Sequence, residues 1–161
     1  MPQLFLDCDG VLADFDRAAI ALLGLPPREF EARHGAREFW RRLRRHGDFY
    51  GSLPLLSDAR TLWDATAHLR PVILTGVPVG DWAAPQKVRW AARHFPGARV
   101  VTTLARLKRD HMEAPGDILV DDSPTHRHLW EEAGGRFVLH RSARESLEEL
   151  RSLGLDVRDR R

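Results

Sequence analysis

At 161 residues, with 43% hydrophobic and 30% charged residues, the chain has the length and composition of one globular domain with a sizeable core. A net charge of +2 argues against a polyanion-binding protein, a single cysteine excludes an internal disulfide, and no apolar run reaches the roughly 18 residues of a membrane span. The N-terminus also lacks a basic segment leading into a long apolar run, so the expectation is a soluble, cytoplasmic protein with neither membrane nor nucleic-acid polymer as partner. Its 25 basic residues are 23 arginines and two lysines, Lys87 and Lys108, so each lysine departs from the chain's default cation.

The apolar run Leu4-Phe5-Leu6 reads as a short buried strand that ends in Asp7-Cys8-Asp9-Gly10. Strand alternation sends Asp7 and Asp9 to one side and Cys8 to the other. Acids this close repel unless a cation neutralises them or one keeps its proton. Asp14 to Leu23 then has helical spacing, with Phe15, Ala18, Ala19, Leu22 and Leu23 on one face, and Gly24 and Pro26-Pro27 stop it. Residues 28–51 are arginine-rich with interleaved aromatics. Within them Arg41, Arg42, Arg44 and Arg45, beside Phe39, Trp40 and Leu43, predict a short amphipathic helix whose arginines face solvent. This stretch interrupts an otherwise alternating pattern, so residues 16–56 are read as a small helical cap inserted after the first strand. The core then comprises residues 1–15 and 57–161.

Strands and helices alternate from there. Ser57 or Asp58 is expected to cap a helix running to about Leu69, followed by a buried strand from Pro71 to Thr75 that ends at Gly76. A helix from Pro85 to His94 precedes a strand over Arg99–Thr102 and a short helix over Leu104–Met112. Asp117 to Asp121 is a fourth strand, Ser123-Pro124 opens a helix, and Arg136–Leu139 is a fifth strand. Ser142 caps a last helix through Leu147 and Leu150, leaving a charged, frayed tail from Arg158 to Arg161. This alternation predicts an α/β fold: a doubly wound, Rossmann-like parallel sheet covered on both faces.

Ligands of such sheets sit beyond the carboxyl ends of the strands, where strand order reverses. The polar residues gather there: Asp7 and Asp9 after the first strand, Thr75-Gly76 after the second, Asp121-Asp122 after the fourth. Clustered carboxylates without supporting histidines or thiolates suit a hard cation, Mg²⁺. Thr75, the backbone N–H groups after it and a lysine suit a phosphate. A carboxylate can attack phosphorus to give an aspartyl-phosphate, and a second can protonate the leaving oxygen and later activate water.

Asp-x-Asp-Gly-Val-Leu, an apolar run ending in Thr-Gly, a lysine opening a helix, and Leu-Val-Asp-Asp resemble the four motifs of the haloacid dehalogenase superfamily of phosphatases. More closely, Asp9-Gly10-Val11-Leu12-Ala13-Asp14-Phe15, Phe39-Trp40, Lys87-Val88-Arg89-Trp90 and Ile118-Leu119-Val120-Asp121-Asp122 resemble the 5'(3')-deoxyribonucleotidases. The resemblance implies Asp7 as nucleophile and metal ligand, and Asp9 as general acid/base with its carbonyl on Mg²⁺. It implies Thr75, Gly76 and Lys87 at the phosphoryl group, and Asp121 and Asp122 completing the metal site. Phe15, Phe39 and Trp40 resemble the aromatic wall around the nucleoside, so the expected substrate is a small phosphate monoester, a (deoxy)nucleoside monophosphate. The family's Thr-Ser-Pro is here Thr75-Gly76-Val77, and its Arg-Asp-Lys is Arg109-Asp110-His111, which puts His111 at a substrate-binding position. The insertion is also shorter than the family's.

Other readings keep the site and change the outcome: a sugar phosphatase, a phosphoacceptor that hydrolyses nothing quickly, or an inactive scaffold. Receiver domains also gather acids, Thr and Lys at one sheet edge, but they carry no insertion after the first strand. Cys8 reads as a buried small hydrophobe, because carboxylates on both sides disfavour its thiolate. His126 and His128, two apart on a helix, do not share a face and read as exposed residues, and Lys108 reads as either a surface residue or a replacement for the missing family lysine.

Overall fold

Residues 1–159 are described in the computed structural model of the protein. The strands are β1 (Leu4–Leu6), β2 (Val72–Gly76), β3 (Val100–Thr103), β4 (Ile118–Asp121) and β5 (Arg136–Leu139). They pair in parallel in the order β3-β2-β1-β4-β5. Three helices, α1 (Phe15–Leu23), α2 (Pro27–His34) and α3 (Ala36–Arg45), lie between β1 and β2, followed by a 3₁₀ turn at Tyr50–Ser52 and by α4 (Ala59–Thr66). The remaining helices are α5 (Ala83–His94), α6 (Arg127–Glu132) and α7 (Ala143–Ser152). The fold is α/β, as the alternating pattern predicts. Among the described residues, no helix is long and apolar enough to cross a membrane.

Strand periodicity divides the sheet between two cores. Leu4, Leu6, Ile73, Ile118, Val120 and Val138 point to the side packed by α4, α5 and α7. Phe5, Val72, Leu74, Leu119 and Phe137 point to the other, where Trp130 of α6 meets Phe5 edge to face at 5.4 Å. Because the chain builds outward from β1 to β3 and then returns to β4 on β1's other side, strand order reverses between β1 and β4.

The chain leaves and re-enters the sheet region through a short antiparallel pairing. Asp14 N–H donates to Pro54 O at 2.8 Å and Leu56 N–H to Leu12 O at 2.9 Å. Asp14 caps α1 by accepting from Arg17 N at 3.2 Å, and Gly24 ends that helix in the left-handed conformation at φ 77°. Pro27 opens α2, where a missing N–H costs nothing.

Several boundaries differ from expectation. Neither Ser57 nor Asp58 caps α4; Asp58 Oδ2 accepts instead from Ala143 N at 2.7 Å, so its carboxylate serves the start of α7 beside the expected cap Ser142. The stretch after β3 is a 3₁₀ segment, Ala105–His111, and α6 starts at Arg127, after turns through residues 124–126. Arg158 is not frayed, since its N–H donates to Ala65 O at 2.9 Å; the expected fraying at residues 160–161 lies outside the described residues.

Candidate active site

The carboxyl ends of β1 and β4 bring the acids together. Asp7 continues the ladder past β1, its N–H donating to Val120 O at 2.9 Å, and so stands beside Asp121 at the end of β4. Oxygens of Asp7, Asp121 and Asp122 all lie within 4.8 Å of one another. Behind Asp9 the chain turns at Gly10, with φ 80°, where a Cβ would fall 2.0 Å from Asp122 Oδ2. Only glycine accommodates both that conformation and that approach.

Each of the two lysines is buried and takes one acid of the Asp-x-Asp pair. Lys108 Nζ donates to Asp7 Oδ1 and to Asp121 Oδ2, both at 2.9 Å. Lys87 Nζ donates to Asp9 Oδ2 at 2.8 Å, to Thr75 Oγ1 at 2.7 Å and to Gly76 O at 2.8 Å. Asp7 and Asp9 thus share a side of the chain end, as expected, but not a partner. Lys108 is no surface residue.

The electrostatics follow from this pairing. Burial pushes Asp7 upward, but the Lys108 ammonium, by charge and hydrogen bond, holds it below the ordinary carboxylate range. Burial, and then the Asp7 charge, raise both Asp121 and Asp122. Asp9 is also raised, by burial first, with Lys87 opposing. Burial and the neighbouring carboxylates push the Cys8 thiol far up, so it stays protonated. Lys108 is itself buried, yet Asp7 and Asp121 hold it well above the usual lysine value.

One lysine between three carboxylates leaves negative charge uncompensated. Oxygens at this spacing, and two acids with raised affinity for a proton, suit a hard divalent cation. The Asp9 carboxylate is not in this group, because it is turned to Lys87.

These residues floor a cleft of about 600 Å³ whose lining includes Phe15, Trp40, Tyr50, Val77, Pro78 and Ala105. Asp7, Asp9, Gly76, Lys108, Asp121 and Asp122 all line it. Four residues expected there do not. Phe39 is buried between α2 and α3 against Phe30 and Trp40, because adjacent helix positions point about 100° apart. His111 lies one 3₁₀ turn beyond Lys108, with which it shares a face, and it is Lys108 that reaches the carboxylates. Thr75 and Lys87 sit beneath the floor, 1% and 2% exposed. Tyr50 and His126, which sequence reasoning did not place in the site, both line the cleft. His126 is the residue before α6 rather than a helix residue, and burial lowers its pKa.

No protein-family model and no curated protein matches the chain. Among solved structures, a hydrolase from Streptococcus pneumoniae TIGR4 is similar, with a TM-score of 0.52 and 14% identity over 95% of this chain and 98% of that one. At this identity the likeness is one of fold, and it extends over nearly the whole of both chains.

Proposed function

We propose that the protein is a Mg²⁺-dependent phosphomonoesterase of the haloacid dehalogenase type that works through an aspartyl-phosphate on Asp7. The observation that carries this reading is the pair Asp7 and Asp9 at the sheet's switch point, two residues apart and each held by its own buried lysine. Asp7, kept ionised by Lys108, is suited to attack. Asp9, whose affinity for a proton burial raises, is suited to carry one.

Asp7 Oδ forms a bond to phosphorus as the bond from phosphorus to the leaving oxygen breaks, and Asp9 gives that oxygen its proton. A water then attacks phosphorus, Asp9 takes its proton, and the Asp7–phosphorus bond breaks to release phosphate. Asp7, Asp121 and Asp122, with the Asp9 carbonyl, would hold a Mg²⁺ ion, which when bound neutralises charge on the phosphoryl oxygens. Gly76 and the backbone after it line the cleft where that group would lie. Lys108 offsets the charge of Asp7 and Asp121 throughout.

Phe15, Trp40 and Tyr50 favour a flat, apolar leaving group, which supports a nucleoside monophosphate over a sugar phosphate. The test is phosphate release from a panel of nucleoside monophosphates and sugar phosphates, with Mg²⁺ and with chelator, by wild type and Asp7→Asn. Turnover should need Mg²⁺, vanish in the variant and favour nucleotides. Full activity in Asp7→Asn would remove the mechanism.

A further inference from the structure

A lysine ammonium has three N–H bonds, and in Lys87 all three are spent: on Asp9 Oδ2, on Thr75 Oγ1 and on Gly76 O, at 2.7–2.8 Å. Its remaining side is covered by the ring of Tyr50, whose centroid lies 4.6 Å from Nζ. The backbone that carries this ring is tied to α5. Gln86 Oε1 accepts from Tyr50 N at 2.9 Å, Gln86 Nε2 donates to Gly47 O at 3.2 Å, and Trp90 Nε1 donates to Leu53 O at 2.8 Å. A phosphoryl oxygen in the cleft therefore finds no free donor on Lys87.

Asp9 is divided by this contact. Oδ2 faces the ammonium, whereas Oδ1 is buried and has no hydrogen-bond partner among the described residues. Because Oδ1 is shut off from solvent while the side chain as a whole is 26% exposed, the cleft does not reach Asp9 through Oδ1.

We infer that Lys87 is a positioning residue: it grips Asp9 by Oδ2, fixes the carboxyl group that exchanges a proton with the leaving oxygen, and does not touch the phosphoryl group. The inference rests on the phosphomonoesterase reading. It separates the two lysines by task, Lys108 serving the attacking carboxylate and Lys87 the proton-transferring one.

The test compares kcat/KM of wild type and Lys87→Met on an alkyl phosphate, a nucleoside monophosphate, and on 4-nitrophenyl phosphate, whose leaving group departs without a proton. Inhibition by inorganic phosphate is measured alongside. General acid catalysis is worth about a hundredfold or more. The variant should lose about that factor on the alkyl ester and less than about fivefold on the nitrophenyl ester, with phosphate inhibition unchanged. Equal losses on both esters, with phosphate inhibition weakened about tenfold, would overturn the assignment and make Lys87 a phosphate ligand.

Removing Lys87 alone strands a buried carboxylate, so the same comparison is made between Asp9→Asn and Asp9→Asn/Lys87→Met, the second of which carries neither charge of the pair. With Asp9 already neutral, losing Lys87 should cost less than about threefold on either ester; a further tenfold loss would contradict the inference. A wild type that hydrolyses neither ester overturns the phosphatase reading and this inference with it. Equal losses in a working phosphatase overturn the inference alone.

Discussion

Lys108 illustrates how much one side chain decides here. It lies 7% exposed between Asp7 and Asp121, and taking one partner from a buried ion pair costs about 3–5 kcal/mol, because the other charge stays behind. Lys108→Met should therefore lower stability in urea titrations by about that much at pH 8. The sign with pH is fixed. Without the lysine, Asp7 and Asp121 have folded-state pKa values above their unfolded ones, so the deficit should shrink towards pH 5 as they protonate. A deficit that grows on acidification would contradict the pairing. Asp122 gives a second case, since burial and then the charges of Asp7 and Asp121 push it up to about 8. A carboxyl raised in the folded state adds stability below its unfolded pKa and loses it as pH rises through the folded one. In chelator, the Tm of Asp122→Asn relative to wild type should rise steadily from pH 5 to pH 8.5, and a flat difference would refute the shift. The acids were legible in the sequence because each ends an apolar run. The scarcity of lysine drew attention to Lys108, but no local signal shows which of two residues on one 3₁₀ face reaches a carboxylate, and the expectation fell on His111.

Among the elements, α3 carries two neighbouring aromatics with opposite duties. Phe39 is 4% exposed between α2 and α3, while Trp40 is 38% exposed and lines the cleft. Phe39→Ala should cost about 3–5 kcal/mol of stability through the cavity it leaves, measured by denaturation. Trp40→Ala should leave stability nearly unchanged and raise KM for a nucleoside monophosphate about fivefold to a hundredfold, the value of one stacking contact of about 1–3 kcal/mol, while a small aliphatic phosphate such as glycerol phosphate is little affected. Reversed outcomes would exchange their roles. Adjacency in the matching motif puts both rings on the wall, whereas the rotation of about 100° between neighbouring helix positions turns one of them inward. Asp58 shows the other limit. Its position before α4 suggested a cap there, but its acceptor serves Ala143, 85 residues away in sequence. Long-range capping leaves no periodic trace.

For the molecule as a whole, the alternation of strands and helices was sufficient to give the parallel sheet, and the switch-point rule then located the acidic edge without coordinates. The separation of the acids between two lysines was not available from pattern, because it depends on how α5 and the segment after β3 pack beneath the strand ends. The central claim is that Asp7 becomes phosphorylated. Its most direct test is an acid quench of the Mg²⁺-loaded protein during turnover of a radiolabelled phosphate ester. Label should stay with the wild-type protein, come off in hydroxylamine as an acyl phosphate does, and be absent from Asp7→Asn. Hydrolysis that proceeds with no protein-bound label, and that continues in Asp7→Asn, would contradict it.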